Sequence, residues 1–285
     1  MNLAQALLLG LVQGATEFLP ISSTAHLILL PWFFKFPDPG LVFDISLHLG
    51  TLLAILIYFR REWGEIIRGI FWRGVTRSGG TARQRAAFSR ALAGEQRAAG
   101  PAATLLPLLL VATIPGIFFG IFFESWAETI FRTPLLIAIT LVFFGIILWL
   151  VDTRVKHLND SNYLSKGKAF FIGLWQALAI LPGVSRSGAT ITGGLLVGLT
   201  REAAVKFSFL LSAPIIAGSL IAGIIKIPNS QFPIPNSQFL LGILTSFISG
   251  FLAIKFLLKF VQTHSFLPFV IYRILLAVLI LITLV

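Results

Sequence analysis

Two stretches of this chain, 101–123 and 133–151, carry no charged side chain at all. Each is long enough to cross the roughly 30 Å hydrocarbon layer of a bilayer, which takes about 20 helical residues. Without water, only helices and closed barrels satisfy every backbone N–H and C=O, so uncharged runs of this length commit the chain to membrane helices. Further apolar runs at 41–59, 203–225, 239–260 and 266–285 bring the expected full spans to six. Composition agrees, since charged residues make up 12% of the chain, against about 25% in soluble domains.

The formal net charge of +11 does not point to nucleic acid, and no nucleic-acid partner is expected. The surplus lies in loops that flank apolar runs, as the positive-inside rule requires of cytoplasmic segments. The largest is 60–100, where nine Arg stand against Glu62, Glu65 and Glu95. It is expected as a basic cytoplasmic loop, with 61–72 alternating charge and apolar groups in the manner of an interfacial segment. The absence of Cys excludes disulfides, thiolate metal sites and thiol catalysis. The first basic residue is Lys35, so the apolar start lacks the basic n-region of a cleavable signal.

Two other apolar regions are interrupted: 1–34 by Pro20 and Pro31, and 169–200 by Pro182-Gly183. Half-length helices in re-entrant hairpins fit them better than straight spans, because non-helical backbone at membrane depth must be buried in protein or line a cavity. The order is therefore hairpin, three spans, hairpin, three spans. Gly10-Leu11-Val12-Gln13 is followed by Leu19-Pro20 and Ser22-Ser23; Gly173-Leu174-Trp175-Gln176 is followed by Leu181-Pro182 and Ser185-Arg186-Ser187, one residue out of register after the Gln. Three spans is an odd number, so the second half enters inverted. The expected fold is an all-α integral membrane protein, one domain over 1–285, with six transmembrane helices and two re-entrant hairpins in an inverted repeat. The repeats are 1–151 and 169–285. The duplicated Pro-Asn-Ser-Gln-Phe at 228–232 and 235–239 reads as a spacer.

Chemistry concentrates in the hairpins. Across 1–34 the only formally charged side chain before Lys35 is Glu17, and across 169–200 it is Arg186. A lone ionisable group at membrane depth costs too much to be ornamental, so each marks a site and the two hairpins are expected to meet. Gln13 and Glu17, four apart, share a helix face. Ser22, Ser23 and Thr24 offer N-cap hydroxyls beyond Pro20, and His26 stands one turn on. In 182–190, Ser185, Ser187 and Thr190 supply hydroxyls, Arg186 a planar fork, and the helix start free N–H groups: an anion cradle suited to phosphate. His26 with Glu17 supplies acid–base or metal-assisted chemistry, with Glu17 orienting His26, activating water or holding a divalent cation. Asp44 and His48 at the start of the next span are candidates for a supporting role.

The two motifs, 13–26 (Gln-Gly-Ala-Thr-Glu-Phe-Leu-Pro-Ile-Ser-Ser-Thr-Ala-His) and 182–190 (Pro-Gly-Val-Ser-Arg-Ser-Gly-Ala-Thr), resemble the signatures of the bacterial undecaprenyl-diphosphate phosphatase (bacitracin-resistance protein) family. The likeness covers nearly the whole chain apart from the Arg-rich loop and the duplicated linker. It implies a multi-pass enzyme of the bacterial inner membrane that removes the terminal phosphate of undecaprenyl diphosphate, with a site open to the outer face. It also implies a divalent cation, Mg2+ or Ca2+, and essential Glu, Ser, His and Arg at Glu17, Ser23, His26 and Arg186. Substrate contacts would fall to Gln13, Ser22, Thr24, Ser185, Arg186, Ser187 and Thr190, with Glu17 the metal ligand. The family has Glu or Gln at position 13, and this chain has Gln. A homodimer is compatible with the reading. The attacker stays open between Ser23, His26 and water. The alternative is an inverted-repeat transporter or flippase of polyprenyl phosphate, which needs the cradle but no general base.

Overall fold

The structure, a computed structural model, describes residues 1–77, 102–128, 130–156, 164–226 and 236–284. Every regular element among the described residues is helical. The α-helices in order are α1 (Leu3–Phe18), α2 (Ser23–Phe34), α3 (Leu41–Tyr58), α4 (Arg60–Arg77), α5 (Ala102–Glu128), α6 (Pro134–Arg154), α7 (Lys166–Ala177), α8 (Arg186–Leu196), α9 (Arg201–Lys226), α10 (Ser237–Phe260) and α11 (Leu267–Thr283), with short 3-10 turns at Ile130–Arg132 and Leu178–Ile180. Local chemistry sets the starts. Asn2 and Gln5 form a reciprocal capping box on α1, Ser165 and Asn236 cap α7 and α10, and Pro134 opens α6 where a missing N–H costs nothing.

Among the described residues, four helices are long and apolar enough to cross a membrane: 105–123 within α5, all of α6, 201–225 within α9, and α10. A fifth is α3 taken with α4, bent by 74° where they join. At 17 residues, α11 is apolar but shorter than these. The chain is thus a multi-pass membrane protein.

The structure corrects three expectations. The loop expected over 60–100 is helical as far as Arg77, as α4, which turns away from α3 at Phe59; Trp63 and Ile66 pack on the core, and Glu62 pairs with Lys206 at 2.9 Å. Residues 78–100 lie outside the described residues. Pro31 does not break the first hairpin but sits inside the last turns of α2, which ends in a left-handed cap at Lys35. The first Pro-Asn-Ser-Gln-Phe copy lies outside the described residues, whereas the second has a structural task, since the Asn236 side chain accepts the Phe239 N–H at 3.2 Å.

Helix pairing decides where the site forms. The most extensive contact joins α1 to α10, and α10 in turn lies along α3. Likewise α7 lies along α5, and α5 touches α9; α6 pairs with α11, and α3 with α9. Exchanging α1, α2, α3, α5, α6 for α7, α8, α9, α10, α11 turns this set of pairs into itself. Close approach depends on small residues, as expected in lipid. A Cβ on Gly10 would lie 2.6 Å from the Gly242 carbonyl oxygen in α10, and one on Gly14 2.3 Å from that of Ser246. The counterpart Gly173 on α7 stands equally close to α5, 2.4 Å from the Ala112 carbonyl oxygen. The first limb of each hairpin is thus bound to the opposite half, which draws the two hairpin turns together.

Candidate active site

Both turns end on a serine of unusual backbone. Ser22 caps α2 with φ 73°, and Ser185 caps α8 with φ 69°. Each hydroxyl accepts an N–H three residues on, from Ala25 and Gly188 respectively. Each also stands nine residues beyond its glutamine, Gln13 or Gln176, so the one-residue offset read from Leu-Pro disappears when the repeats are aligned on their caps. Positive φ costs a non-glycine residue about 1–3 kcal/mol, so surrounding bonds must hold it. Ser22 Oγ accepts the Gly183 N–H at 3.2 Å, Ser187 Oγ donates to the Leu19 carbonyl at 3.0 Å, and Thr140 of α6 donates to the Pro182 carbonyl at 2.6 Å. Arg273 of α11, 0% exposed, reaches both turns: Nε donates to the Pro20 carbonyl at 2.5 Å and a terminal nitrogen to that of Val184 at 3.1 Å.

Between these turns lies Glu17, in the last turn of α1. Its Oε1 accepts the guanidinium of Arg186, the first residue of α8, while Ser23 Oγ donates to Oε2 at 2.5 Å and Gln13 Nε2 at 3.1 Å. His48 of α3 donates from Nδ1 to the Asp44 carbonyl at 2.7 Å, which turns Nε2 toward Glu17 Oε2 at 3.9 Å. The carboxylate is buried yet compensated by a cation and two neutral donors, the condition under which a buried charge persists. His26 stands apart from it. Its Nδ1 donates to the Ser22 carbonyl at 2.7 Å and its Nε2 meets the Tyr272 hydroxyl at 2.6 Å. The expectation that Glu17 orients His26 is therefore corrected, because Ser22 and Tyr272 do so.

Over residues 6–279 the chain matches the family described as bacitracin resistance protein BacA. It belongs to that family. Relatives named undecaprenyl-diphosphatase resemble it over nearly their full lengths. That of Moorella thermoacetica is 48% identical, covering 98% of this chain and 97% of the relative. Those of Desulforudis audaxviator and Elusimicrobium minutum are 47% and 44% identical, covering 97% and 99% of this chain and 95% and 98% of the relatives.

Within this BacA-family chain, Gln13, Glu17, Ser23 and Arg186 form one hydrogen-bonded cluster, and Ser22, Ser185 and Ser187 build the turns that frame it. Thr24 is exposed in the first turn of α2, with no hydrogen bond to the cluster among the described residues. Thr190 faces away from the cradle, bonded to the Arg186 and Ser187 carbonyls and, at 2.6 Å, to Ser208 Oγ on α9. Sequence reasoning missed Arg273 and Tyr272. A signal existed for Arg273, which is the only charged side chain in 266–285 and satisfies the rule that singled out Glu17 and Arg186. For a metal, the described residues hold no group of three His, Cys, Asp or Glu. They do hold an unused oxygen, because Gln13 turns its amide nitrogen to Glu17 and leaves its buried Oε1 without a hydrogen-bond partner. One carboxylate with one amide oxygen suits Mg2+ or Ca2+ completed by substrate phosphates and water, so the residues fit the ion.

Proposed function

We propose that this chain hydrolyses the phosphoanhydride of undecaprenyl diphosphate, releasing phosphate and regenerating the undecaprenyl phosphate carrier for peptidoglycan synthesis. One observation carries this reading: the carboxylate of Glu17, from the first hairpin, accepts both Arg186, from the second, and Ser23. A transporter cradle needs the arginine alone, whereas a hydroxyl held on a buried carboxylate is an arrangement for nucleophilic attack.

Capping leaves the first two N–H groups of α2 (Ser23, Thr24) and of α8 (Arg186, Ser187) for an anion. A diphosphate set there meets those N–H groups and the donors that Arg186 does not spend on Glu17, since a guanidinium has five. Ser23 is then the favoured attacker. Its oxygen bonds to the terminal phosphorus as the bridging P–O bond breaks, its proton passes to Glu17, and the lipid monophosphate leaves. His26, with Nδ1–H bound to Ser22, has Nε2 as its basic nitrogen. The water that clears the phosphoserine displaces the Tyr272 hydroxyl from Nε2, gives its proton there and bonds to phosphorus as the Ser23 P–O bond breaks, and Ser23 recovers its proton from Glu17. Glu17 and Gln13 Oε1 would hold a Mg2+ or Ca2+ ion, which supplies neutralisation of the charge on the phosphate oxygens.

The topology we assign is six spans and two re-entrant hairpins in an inverted repeat, 1–151 and 169–285. The exchangeable helix pairs and the matched serine caps support it. The distribution of Lys and Arg supports a site open to the outer face of the plasma membrane. The test is phosphate release from undecaprenyl diphosphate by purified protein in detergent, with and without EDTA. Wild type runs beside His26→Ala and Arg186→Ala. Metal-dependent release abolished by both substitutions is expected. Tight lipid binding without release by folded wild type would favour the carrier instead.

A further inference from the structure

His26 is held at both ring nitrogens, and the two bonds together fix its state. A carbonyl oxygen only accepts, so the proton shared with Ser22 sits on Nδ1. In the neutral ring Nε2 is then a lone pair, and the Tyr272 hydroxyl 2.6 Å away donates to it. The two rings lie nearly parallel, 13° apart with centroids at 5.6 Å. Tyr272 comes from α11, 246 residues along the chain, so this bond is part of how the two halves meet. Its neighbour Arg273 grips the Pro20 and Val184 carbonyls, which ties α11 to the turn that carries Ser22 and His26. Exposure divides the pair: His26 is 7% exposed and Tyr272 40%. The carbonyl clamp on Nδ1 alone would leave the ring free to pivot about that bond. The hydroxyl removes this freedom and holds Nε2 in place until the attacking water displaces it from that nitrogen.

We infer that Tyr272 is a positioning residue for the hydrolysis proposed above, acting through His26 by fixing the direction of Nε2. The inference rests on that reading of the function. Partners that orient a metal-bound histidine typically matter by about 10–100-fold when removed, and a hydroxyl that orients a working histidine is expected to matter on that scale. The packing role of Tyr272 is separable, since Tyr272→Phe keeps the ring and deletes only the hydroxyl.

The experiment is single-turnover and steady-state phosphate release from undecaprenyl diphosphate by the full chain in detergent. It compares wild type, Tyr272→Phe, His26→Gln and the double variant, with equilibrium binding of the lipid measured on each. Tyr272→Phe is expected to lower kcat at least tenfold with KM and lipid affinity within about twofold. In the His26→Gln background the same change should add nothing, because the group it positions is gone. A wild-type kcat in Tyr272→Phe, a deficit that multiplies with His26→Gln, or lost lipid binding overturns the inference. Those results would assign the hydroxyl no role, a role apart from His26, or one in binding or packing. Absence of release by wild type would instead overturn the proposed hydrolysis, so the two failures are distinguishable.

Discussion

Replacing Gly14 by Ala should damage catalysis through a methyl group that touches no substrate. At Gly14 the new Cβ would meet the Ser246 carbonyl oxygen at 2.3 Å and the Gly250 amide nitrogen at 2.6 Å, both backbone atoms of α10 that cannot rotate aside. Ordinary contact begins at 3.4 Å, so α1 must retreat from α10 by about 1 Å. Glu17 lies one turn further along α1 and carries the displacement toward Arg186 and Ser23. The Ser23–Glu17 bond, now 2.5 Å, would pass beyond good hydrogen-bond distance if the hydroxyl did not follow. A misplacement of 1 Å at a reacting group costs on the order of 10²-fold in rate. The assay is single-turnover phosphate release by the fraction that elutes as folded protein, with thermal unfolding in parallel. Gly218→Ala is the control, because among the described residues nothing lies within 4 Å of its Cβ, and its rate should stay within about twofold of wild type. Folded Gly14→Ala with the wild-type rate would refute the claim that the α1–α10 contact sets the position of Glu17.

Three further perturbations address other parts of the site. Arg186→Lys keeps a cation but loses the planar fork, so kcat/KM should fall by about tenfold or more; near-wild-type hydrolysis would rule out direct phosphate recognition by the guanidinium. Gln13→Glu puts a second carboxylate where an amide oxygen now lacks a partner, and should tighten Mg2+ or Ca2+ binding in a titration of the EDTA-stripped protein; an unchanged Kd would exclude Gln13 as a ligand. Arg273→Met leaves the Pro20 and Val184 carbonyls without donors at about 1–3 kcal/mol each, so stability to denaturant should drop by about 2–6 kcal/mol, and a loss under 1 kcal/mol would show that other groups hold the turns.

Much of the site is legible in the sequence because bilayer physics makes lone charges conspicuous. Glu17 and Arg186 stand out against uncharged surroundings, and each needs a partner that only the other hairpin supplies. The caps are legible as serines after a proline-broken helix. The register is less so. Matching Leu-Pro to Leu-Pro shifts the repeats by one, whereas matching Ser22 to Ser185 does not, since the turns differ in where their prolines fall. Composition misleads at 60–77, where Gly and Arg suggest a loop but Trp63 and Ile66 anchor a helix to the core. The partner of His26 is invisible to any local rule: Tyr272 lies 246 residues away, and its hydroxyl joins the site only through the packing of α11.

The crossing of the halves also bears on how the chain is made. Glu17 leaves the ribosome 169 residues ahead of Arg186, and α1 precedes its main packing partner, 237–260, by most of the chain. At about 5–20 residues per second, the carboxylate waits roughly 10–30 s for its cation. During that interval an ionised Glu17 has no place in hydrocarbon, so the first hairpin must stay at the membrane surface, or enter protonated, until α8 arrives. Assembly of this fold is therefore a late event, and α1, made long before α10, is among the last helices to reach its final seat.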